Sequence, residues 1–296
     1  MTLLKTPLIL QGPGLNRESV AEITASLEAA MIGVSDHTLI SDKETGLECH
    51  RLGLASPLDA TTLAQLRRHY PFDINQLPAG FDAGNIRLLI TDMDSTLINI
   101  ECIDEIADYL DIKPRVAEIT EAAMRGDIDF ETSLKKRIDL LRGLDDSTLQ
   151  HVYNERLELN PGANIMLRGL RRNHIKIALV SGGFTYFTQR LQQRLDLDFT
   201  LANELAFDTD GKLTGLANGV IVGARRKADF LTELCSEMSI NPDQVVAMGD
   251  GANDLLMMGH AGLSVAYHAK PAVQQQADTV LNHCGLEGVL GLLTGN

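Results

Sequence analysis

The sequence contains no tryptophan, and aromatic residues make up only 4% of its 296 residues. Basic residues are also scarce, since 26 Lys and Arg stand against 40 Asp and Glu and give a formal net charge of −14. Surfaces that bind nucleic acid carry a basic stripe that matches the phosphate backbone. The charge therefore argues against a nucleic-acid partner. It does not exclude a small anionic ligand, which responds to local groups.

Cysteine is the next scarce residue type. The four cysteines, Cys49, Cys102, Cys235 and Cys284, lie far apart and form no CxxC or Cys/His metal-binding spacing. We expect a reducing, cytoplasmic environment in which the thiols are small buried apolar groups. No basic segment followed by an apolar signal core opens the chain, and no apolar run reaches membrane-spanning length. We therefore expect neither secretion nor membrane insertion.

Residues 1–80 are predicted to form a separate small domain. A strand at Leu8–Leu10 is broken by Gly12-Pro13-Gly14, and Asn16 is expected to cap a helix that runs to Met31. Two strands, a second helix and a short last strand follow, at about residues 32–40, 47–54, 59–69 and 72–74. This βαββαβ order is the ferredoxin-like pattern. Residues 77–85 have the Pro and Gly content of a linker.

A pair of aspartates follows the apolar run Leu88–Ile90. Thr91 continues the run, and Asp92 and Asp94 come next, two residues apart. An apolar run that ends in carboxylates is typical of a buried parallel strand whose C-terminal end opens into a site. Paired acids there are costly unless a cation or hydrogen bonds compensate their desolvation. The alternative is an acidic turn that caps the next helix, because Asp, Ser and Thr are good N-cap residues.

Two further apolar runs end in polar turns rich in glycine. Residues 175–180 lead into Ser181-Gly182-Gly183, where a hydroxyl beside two glycines can cradle a phosphate oxygen. A plain strand-to-helix turn would have the same pattern. Residues 244–248 lead into the sequence GDGAND, whose glycines allow close approach of a ligand and whose acids, Asp250 and Asp254, lie four residues apart. The alternative is that the two acids only cap the helix that follows. Lys227 is predicted to begin a helix between these two runs.

Residues 98–160 have an almost wholly helical pattern. Four consecutive helices without an intervening strand do not fit βαβ alternation, and they indicate a helical cap inserted over a site on the sheet. The predicted fold class is therefore α/β. It has a Rossmann-like parallel sheet core at residues 81–296 with an inserted helical cap at about 98–160, plus a small α+β ferredoxin-like N-terminal domain at 1–80.

The sequences DMDST, SGG, Lys227 and GDGAND, in this order and spacing, resemble the haloacid dehalogenase superfamily of phosphatases. More narrowly, TDMDSTLINIECIDEIA, FETSLKKR, VSGGF and MGDGAND resemble the phosphoserine phosphatases of that superfamily. The resemblance covers about Arg87 to Leu281, without a departure at any motif position. The front domain resembles the ACT-type amino-acid-sensing domains in its element order and in the sequence GPGLN. Such a domain either binds an amino-acid effector or only packs or dimerises. If it dimerises, the protein would be a homodimer.

The resemblance implies hydrolysis of O-phospho-L-serine to L-serine and phosphate, the last step of serine biosynthesis. Asp92 would be the nucleophile that forms an aspartyl phosphate, and Asp94 the general acid and base. Mg²⁺ would be held by Asp92, Asp250 and the backbone carbonyl of Asp94, with Asp254 orienting these groups.

The same resemblance implies the substrate-binding residues. Those expected to hold the phosphoryl group are Ser181, Gly182, Lys227 and Asn253. Those expected to contact the rest of phosphoserine are Glu101 at the ammonium, Arg137 at the carboxylate, and Met124 and Phe130 as apolar walls. From the residues alone, Glu101 is equally explained as a helix-start glutamate and Arg137 as part of a solvated KKR face.

Three alternatives remain open at the level of the sequence. A relative that acts on another small phosphomonoester, or passes the phosphoryl group to a different alcohol, would have the same catalytic residues. A receiver-like signalling module also clusters acids, Ser/Thr and Lys around Mg²⁺, but Asp94 and the helical cap argue against it. An amino-acid sensor would have the front domain as its working part.

Overall fold

The computed structural model describes residues 6–42 and 47–293. Its strands are β1 (Thr6–Gln11), β2 (Val34–Asp42), β3 (Leu47–Leu54), β4 (Asp73–Gln76), β5 (Leu88–Thr91), β6 (Lys176–Phe184), β7 (Phe199–Phe207), β8 (Leu213–Asn218), β9 (Val245–Gly249), β10 (Leu263–Tyr267) and β11 (Thr279–Leu281). Its helices are α1 (Arg17–Ala29), α2 (Ala60–His69), α3 (Cys102–Tyr109), α4 (Lys113–Met124), α5 (Phe130–Asp139), α6 (Asp146–Glu155), α7 (Ala163–Arg172), α8 (Thr185–Leu195), α9 (Ala224–Met238), α10 (Leu255–Met258), α11 (Pro271–Gln274) and α12 (Gly288–Leu292). Short 3₁₀ helices lie at Ala83–Asn85 and Pro242–Gln244, and an irregular turn at Met93–Leu97.

The first four strands form an antiparallel sheet in the order β2-β3-β1-β4. With α1 and α2 they give the predicted βαββαβ order. Asn16 caps helix α1 as predicted, since its side chain accepts a hydrogen bond from Ser19 N at 2.9 Å. Leu8 and Leu10 pack with Ile23 of α1, so one face of β1 lies in the core of this small unit. Its ACT-like character stays a prediction.

The other face of the front sheet packs against the larger part of the molecule. Ile9 and Cys49 belong to the main hydrophobic core, together with Val289 of α12. The side chain of Asn75 in β4 binds both backbone groups of Val280, as the backbone of a neighbouring strand would. Its Oδ1 accepts from Val280 N at 2.8 Å, and its Nδ2 donates to Val280 O at 2.7 Å. This contact covers the edge of β11, and sheet edges left open invite unwanted pairing.

The other seven strands form one sheet in the order β11-β10-β9-β5-β6-β7-β8. Every neighbouring pair is parallel except β7 with β8, which form an antiparallel hairpin. Strands β5 and β9 are fully buried, as expected for parallel strands covered on both faces. The strand order reverses at β5, and ligands in such sheets bind at the carboxyl ends beside the reversal. The predicted α/β fold class is confirmed.

Helices α3 to α6 lie between β5 and β6 in the chain, where the helical insert was predicted. Asp129 caps α5, since its Oδ1 accepts from Thr132 N at 2.7 Å. The two segments that join the insert to the core lie side by side, with a bridge between Ile98 and Leu159. The division of the chain at residues 80 and 98–160 stays a prediction. Among helices of the described residues, none has both the length and the apolar character needed to cross a membrane.

Two local predictions differ from the structure. Strand β6 continues through Ser181-Gly182-Gly183 to Phe184, with a shift in its pairing to β7. The chain can bulge there because the Asn203 side chain, rather than a strand backbone, binds Gly182 O at 2.8 Å. Helix α9 begins at Ala224 instead of Lys227, because extended Gly223 provides its N-cap and accepts from Lys227 N at 3.0 Å.

Candidate active site

Three neighbouring parallel strands bring the predicted polar motifs to one edge of the large sheet. Asp92 follows β5, Ser181 lies in β6, and Asp250 follows β9. Strand β5 pairs with both β6 and β9, so the carboxyl ends of the three strands are adjacent. The irregular turn after β5 has Ser95 at a φ of 56°, which directs the chain out of the sheet and into the cap.

Lys227 is fully buried between two carboxylates. Its Nζ donates to Asp92 Oδ1 at 2.6 Å and to Asp254 Oδ1 at 2.7 Å. Burial alone would lower the pKa of Lys227, but the charges of Asp254 and Asp92 raise it above its ordinary value. Asp92 occupies the N-cap position of the following turn without making a capping hydrogen bond, so helix capping does not account for this residue.

The buried carboxylates fit a divalent cation. One oxygen each from Asp92, Asp250 and Asp254 lies within 4.8 Å of the others. Burial and the charge of Asp254 raise the pKa of Asp92 well above its ordinary value, and the same causes raise the pKa of Asp250 to about 6. A cation relieves such crowding, and carboxylate oxygens are the ligands that Mg²⁺ prefers. Asp254 already accepts from Lys227 and, at 3.1 Å, from Gly251 N, which suits an orienting role.

Asp94 lies between β6 and the first turn of α3. Its carboxylate accepts from Cys102 N at 2.9 Å and from Ser181 Oγ at 3.2 Å. The capping interpretation therefore holds in part for Asp94, which binds the first residue of α3. Burial raises the pKa of Asp94 against the opposing effect of these hydrogen bonds, and a raised pKa suits a general acid. Ser181 Oγ also accepts from Gly183 N at 2.8 Å.

A cavity of about 140 Å³ lies between the strand ends and the cap. From the core it is lined by Asp92, Asp94, Gly182, Gly183, Phe184, Asp250, Gly251, Asn253 and Lys270. From the cap and its entry segment it is lined by Glu101, Ile103, Phe130, Leu134 and Arg137. The cavity therefore joins the strand-end carboxylates to a half-apolar wall supplied by α3 and α5.

Arg137 and Glu101 place opposite charges on this wall. Arg137 Nε is buried and has no hydrogen-bond partner among the described residues. Burial lowers the pKa of Arg137, whereas Asp104 and Glu101 raise it. Glu101 is exposed at the mouth, where its Oε1 accepts from Ser95 Oγ at 2.7 Å. Partial burial of the carboxyl and the charge of Asp94 raise the pKa of Glu101 to about 7.

The two alternative explanations, a helix-start glutamate and a solvated basic face, do not account for the surroundings of Glu101 and Arg137. Glu101 is the N-cap residue of α3, but its side chain makes no capping hydrogen bond. In the KKR segment, Lys135 is solvated and paired with Glu131 at 2.5 Å, whereas Arg137 turns into the cavity. Only part of that segment is therefore a solvated face.

The structure brings most of the predicted site residues together at this cavity. The predicted residues that line it are Asp92, Asp94, Glu101, Phe130, Arg137, Gly182, Asp250 and Asn253. Three more lie directly beneath it, namely Ser181, Lys227 and Asp254. The side chain of Met124 lies outside the described part of the chain.

Two residues at the site were missed by the sequence analysis. Thr96 donates from Oγ1 to Asp250 Oδ1 at 3.1 Å, which links the turn after β5 to the turn after β9. Lys270 lines the cavity although the sequence around it looks like a solvated turn. The available signal was its place directly after β10, because β10 is the neighbour of β9 in a parallel sheet.

A model of the family described as haloacid dehalogenase-like hydrolase matches residues 86–262. Among curated proteins, the phosphoserine phosphatase of a Polaromonas species is 48% identical over 225 residues, which are 74% of this chain and 95% of that protein.

Solved structures that are similar to this protein include two phosphoserine phosphatases, one of them described as probable. The unliganded probable phosphoserine phosphatase from Vibrio cholerae has a TM-score of 0.80 and 34% identity, and the match covers 97% of this chain and 86% of that one. A structure described as a phospho-aspartyl intermediate analogue of phosphoserine phosphatase has a TM-score of 0.66 and 36% identity, over 71% of this chain and 99% of that one. The first of these matches extends over the front sheet as well as the large one.

Proposed function

The chain belongs to the haloacid dehalogenase-like hydrolases, and on that premise we propose that it hydrolyses O-phospho-L-serine to L-serine and phosphate. The observation that carries the proposal is the single cavity in which Arg137 and Glu101 of the cap side lie opposite the strand-end aspartates. Phosphoserine needs an anion for its ammonium, a cation for its carboxylate and a centre for its phosphate. The names of the Polaromonas and Vibrio relatives support the same substrate.

Asp92 is the proposed nucleophile. Its carboxylate attacks phosphorus in line with the serine oxygen, and the phosphoryl group moves to Asp92 as an aspartyl phosphate. Lys227, 2.6 Å from Asp92 Oδ1, fixes this carboxylate and offsets the repulsion between it and the incoming dianion. The relative solved as a phospho-aspartyl intermediate analogue supports such an intermediate.

Asp94 is the proposed acid and base. In the first half-reaction it gives a proton to the leaving serine oxygen, and in the second it takes a proton from the water that attacks the aspartyl phosphate. Its raised pKa favours the protonated form at the start. Ser181, whose hydroxyl donates to Asp94, is proposed to turn that hydroxyl to a phosphoryl oxygen, together with the backbone at Gly182 and the side chain of Asn253.

We propose Mg²⁺ as the cofactor, held by Asp92, Asp250 and the backbone carbonyl of Asp94. When bound, it neutralises charge on the phosphoryl oxygens and on the crowded carboxylates. Asp254 keeps its orienting role, because both of its oxygens are already occupied by protein donors. Thr96 holds Asp250 in place from the neighbouring turn.

The cap is proposed to select the amino acid. Arg137 has a buried Nε that no other described residue binds, and a substrate carboxylate satisfies it with a charge-assisted hydrogen bond. Glu101 binds the ammonium, while Phe130 and Met124 provide apolar walls. We propose in addition that residues 1–80 act in assembly, as a homodimer contact, or in regulation, and that the enzyme is cytoplasmic.

The test is release of inorganic phosphate from L-phosphoserine, with and without Mg²⁺, beside glycerol phosphate and a simple aryl phosphate. We expect phosphoserine to have the highest kcat/KM and the reaction to stop in excess chelator. A chain that prefers another phosphoester by a wide margin would be a relative with a different substrate. Transfer of the phosphoryl group to an added alcohol, instead of water, would identify it as a phosphotransferase.

A further inference from the structure

Lys270 is a cation on the wall of the active-site cavity to which the proposed mechanism gives no role. It follows β10 and precedes α11, and it lines the same cavity as Asp250 and Asn253. Its backbone N–H donates to Asp250 O at 3.3 Å, and its carbonyl accepts from Val273 N at 2.9 Å. The backbone is therefore held on both sides, so its side chain is placed at the cavity without help from its ammonium.

The surroundings of Lys270 differ from those of Lys227. Lys227 is fully buried and bound to two carboxylates. Lys270 is exposed, and within the described residues its Nζ forms no hydrogen bond or ion pair. An ammonium in that state is available to a ligand, whereas the charge of Lys227 is already used by the protein.

The charges at the cavity make an additional cation useful. Four of the groups that line it are acids, namely Asp92, Asp94, Glu101 and Asp250. The whole chain carries a formal charge of −14. A phosphate ester brings about −1.5 to −2 further charges at pH 7, so its approach is opposed until it reaches a cation. Arg137 is on the cap wall, and Lys270 is on the core wall beside the aspartates.

We propose that Lys270 is the recruiting residue for the phosphate end of the substrate and for the phosphate product. This inference rests on the proposed function only in taking the ligand to be a phosphomonoester. Lys270 attracts the phosphate at the open mouth and passes it to the inner groups at Asp92. Its charge affects capture and affinity, because it lies on the exposed rim and outside the buried pair that holds the nucleophile. Arginine can replace it, since the interaction depends on charge.

The test compares Lys270→Gln and Lys270→Arg with the parent protein by calorimetry of inorganic phosphate binding, with Mg²⁺ present, at low and high salt. At low salt we expect Lys270→Gln to weaken phosphate binding about 5- to 10-fold and Lys270→Arg to stay within about twofold. At high salt the difference between the variants shrinks, because screening acts on exposed charges. Equal binding by Lys270→Gln and the parent protein at low salt overturns the proposal. So does a loss that is the same at both salt concentrations.

A matched control is Lys135→Gln, which removes the same charge from an exposed cap residue outside the cavity. It should bind phosphate like the parent protein, and a loss of the same size there would assign the effect to net charge.

Steady-state kinetics give a second readout, in which Lys270→Gln raises KM more than it lowers kcat, on phosphoserine and on an aryl phosphate alike. If the parent protein hydrolyses only the aryl phosphate, phosphoserine is not its substrate, but the test of Lys270 still applies. Phosphate calorimetry tests Lys270 even if neither ester is hydrolysed.

Discussion

Asp92 is one of two carboxylates that share the buried ammonium of Lys227, and this determines how its substitution should act. Asp92→Asn keeps the volume and one oxygen at the place of Oδ1, while Asp254 still pairs with the lysine. An amide is a poor nucleophile, and loss of a covalent step costs several powers of ten in kcat. We therefore expect a folded protein with a kcat at least about 1000-fold lower.

Phosphate release and a thermal melt check this prediction. The matched control is Glu237→Gln, an exposed residue on the helix that carries Lys227, and it should keep full activity. A variant with Asp92→Asn that retained about a tenth of the parent rate would mean that another group is the nucleophile.

The opposite charges of Glu101 and Arg137 predict that substitution of either residue changes which phosphoesters the enzyme prefers. Glu101→Gln should weaken turnover of phosphoserine far more than that of an ester without an amino group, and Arg137→Ala should spare esters without a carboxylate. A charge-assisted hydrogen bond lost in a closed site is worth about 2 to 4 kcal/mol, or roughly 30- to 1000-fold in kcat/KM. The measurement is kcat/KM for phosphoserine and a simple aryl phosphate in both variants. Equal losses on the two substrates would show that these residues serve cap closure instead.

At the scale of single residues, the sequence predicted the aspartates because carboxylates after an apolar strand are hard to explain otherwise. It could not separate a capping acid from a site acid. The structure does so through contacts, since Asp92 binds Lys227 and makes no cap bond, whereas Asp94 does bind the start of α3. Lys270 was missed because its side chain reaches the cavity only through the turn that follows β10.

At the scale of elements, the cap meets the core where the Phe130 ring lies over two glycines. A Cβ added at Gly223 would lie 3.2 Å from Phe130 Cδ1, and one at Gly182 would lie 3.1 Å from Phe130 Cζ. Gly223 has an ordinary φ of −113°, so alanine is acceptable to its backbone and the effect of substitution is confined to this contact.

Gly223→Ala should therefore hold the cap slightly open. We expect a cost of about 1 kcal/mol, or roughly a fivefold lower kcat/KM for phosphoserine. In a Phe130→Leu background the smaller side chain leaves room for the added methyl group. Gly223→Ala should then lower kcat/KM by less than about twofold. The four proteins of this cycle are compared by kcat/KM. An identical loss in both backgrounds would place the effect in α9 and its lysine instead of in the ring contact.

Element order and type were predictable because hydrophobic periodicity, caps and turns agree along most of the chain. The exceptions have local causes. Strand β6 runs past the expected turn because the Asn203 side chain replaces a missing backbone partner. Helix α9 begins early because Gly223 adopts an extended conformation that can cap it. A side-chain contact from a neighbouring strand, or a backbone angle at glycine, leaves no periodic signal in the sequence.

At the scale of the whole molecule, the front sheet is more closely attached to the rest of the chain than the linker-like sequence of residues 77–85 suggested. Asn75 and Val280 of β11 exchange two buried hydrogen bonds, and Gln11 Nε2 donates a buried one to Gly288 O of α12 at 2.9 Å. No proposed catalytic residue lies before Asp92. A chain that starts near Leu77 should thus keep the chemistry, at a lower melting temperature, if the truncated protein is soluble. A folded truncation without activity would show that the front domain completes the site.

Asp73 makes a further contact between the front sheet and the rest of the molecule. Its buried carboxylate accepts from three successive backbone N–H groups, those of Asn282, His283 and Cys284, at 2.8 to 3.2 Å. These residues connect β11 to α12, the helix on which the front sheet packs. A carboxylate suits this loop because both of its oxygens accept, whereas an amide would turn an NH₂ group towards one of the backbone donors.

Asp73→Asn should therefore lower the free energy of unfolding by about 2 to 4 kcal/mol, because a buried donor loses its charged acceptor. A fall in melting temperature of roughly 5 to 15 °C follows from that loss. The control is Asp59→Asn, an exposed N-cap of α2 in the same domain, where asparagine caps as well as aspartate and the shift should be within about 0.5 kcal/mol. Thermal melts of both variants, with phosphate release measured below the transition, decide the matter. Similar melting temperatures for the two variants would mean that Asp73 does not hold the loop. A large loss of activity in folded Asp73→Asn would instead connect the front domain to the site through α12.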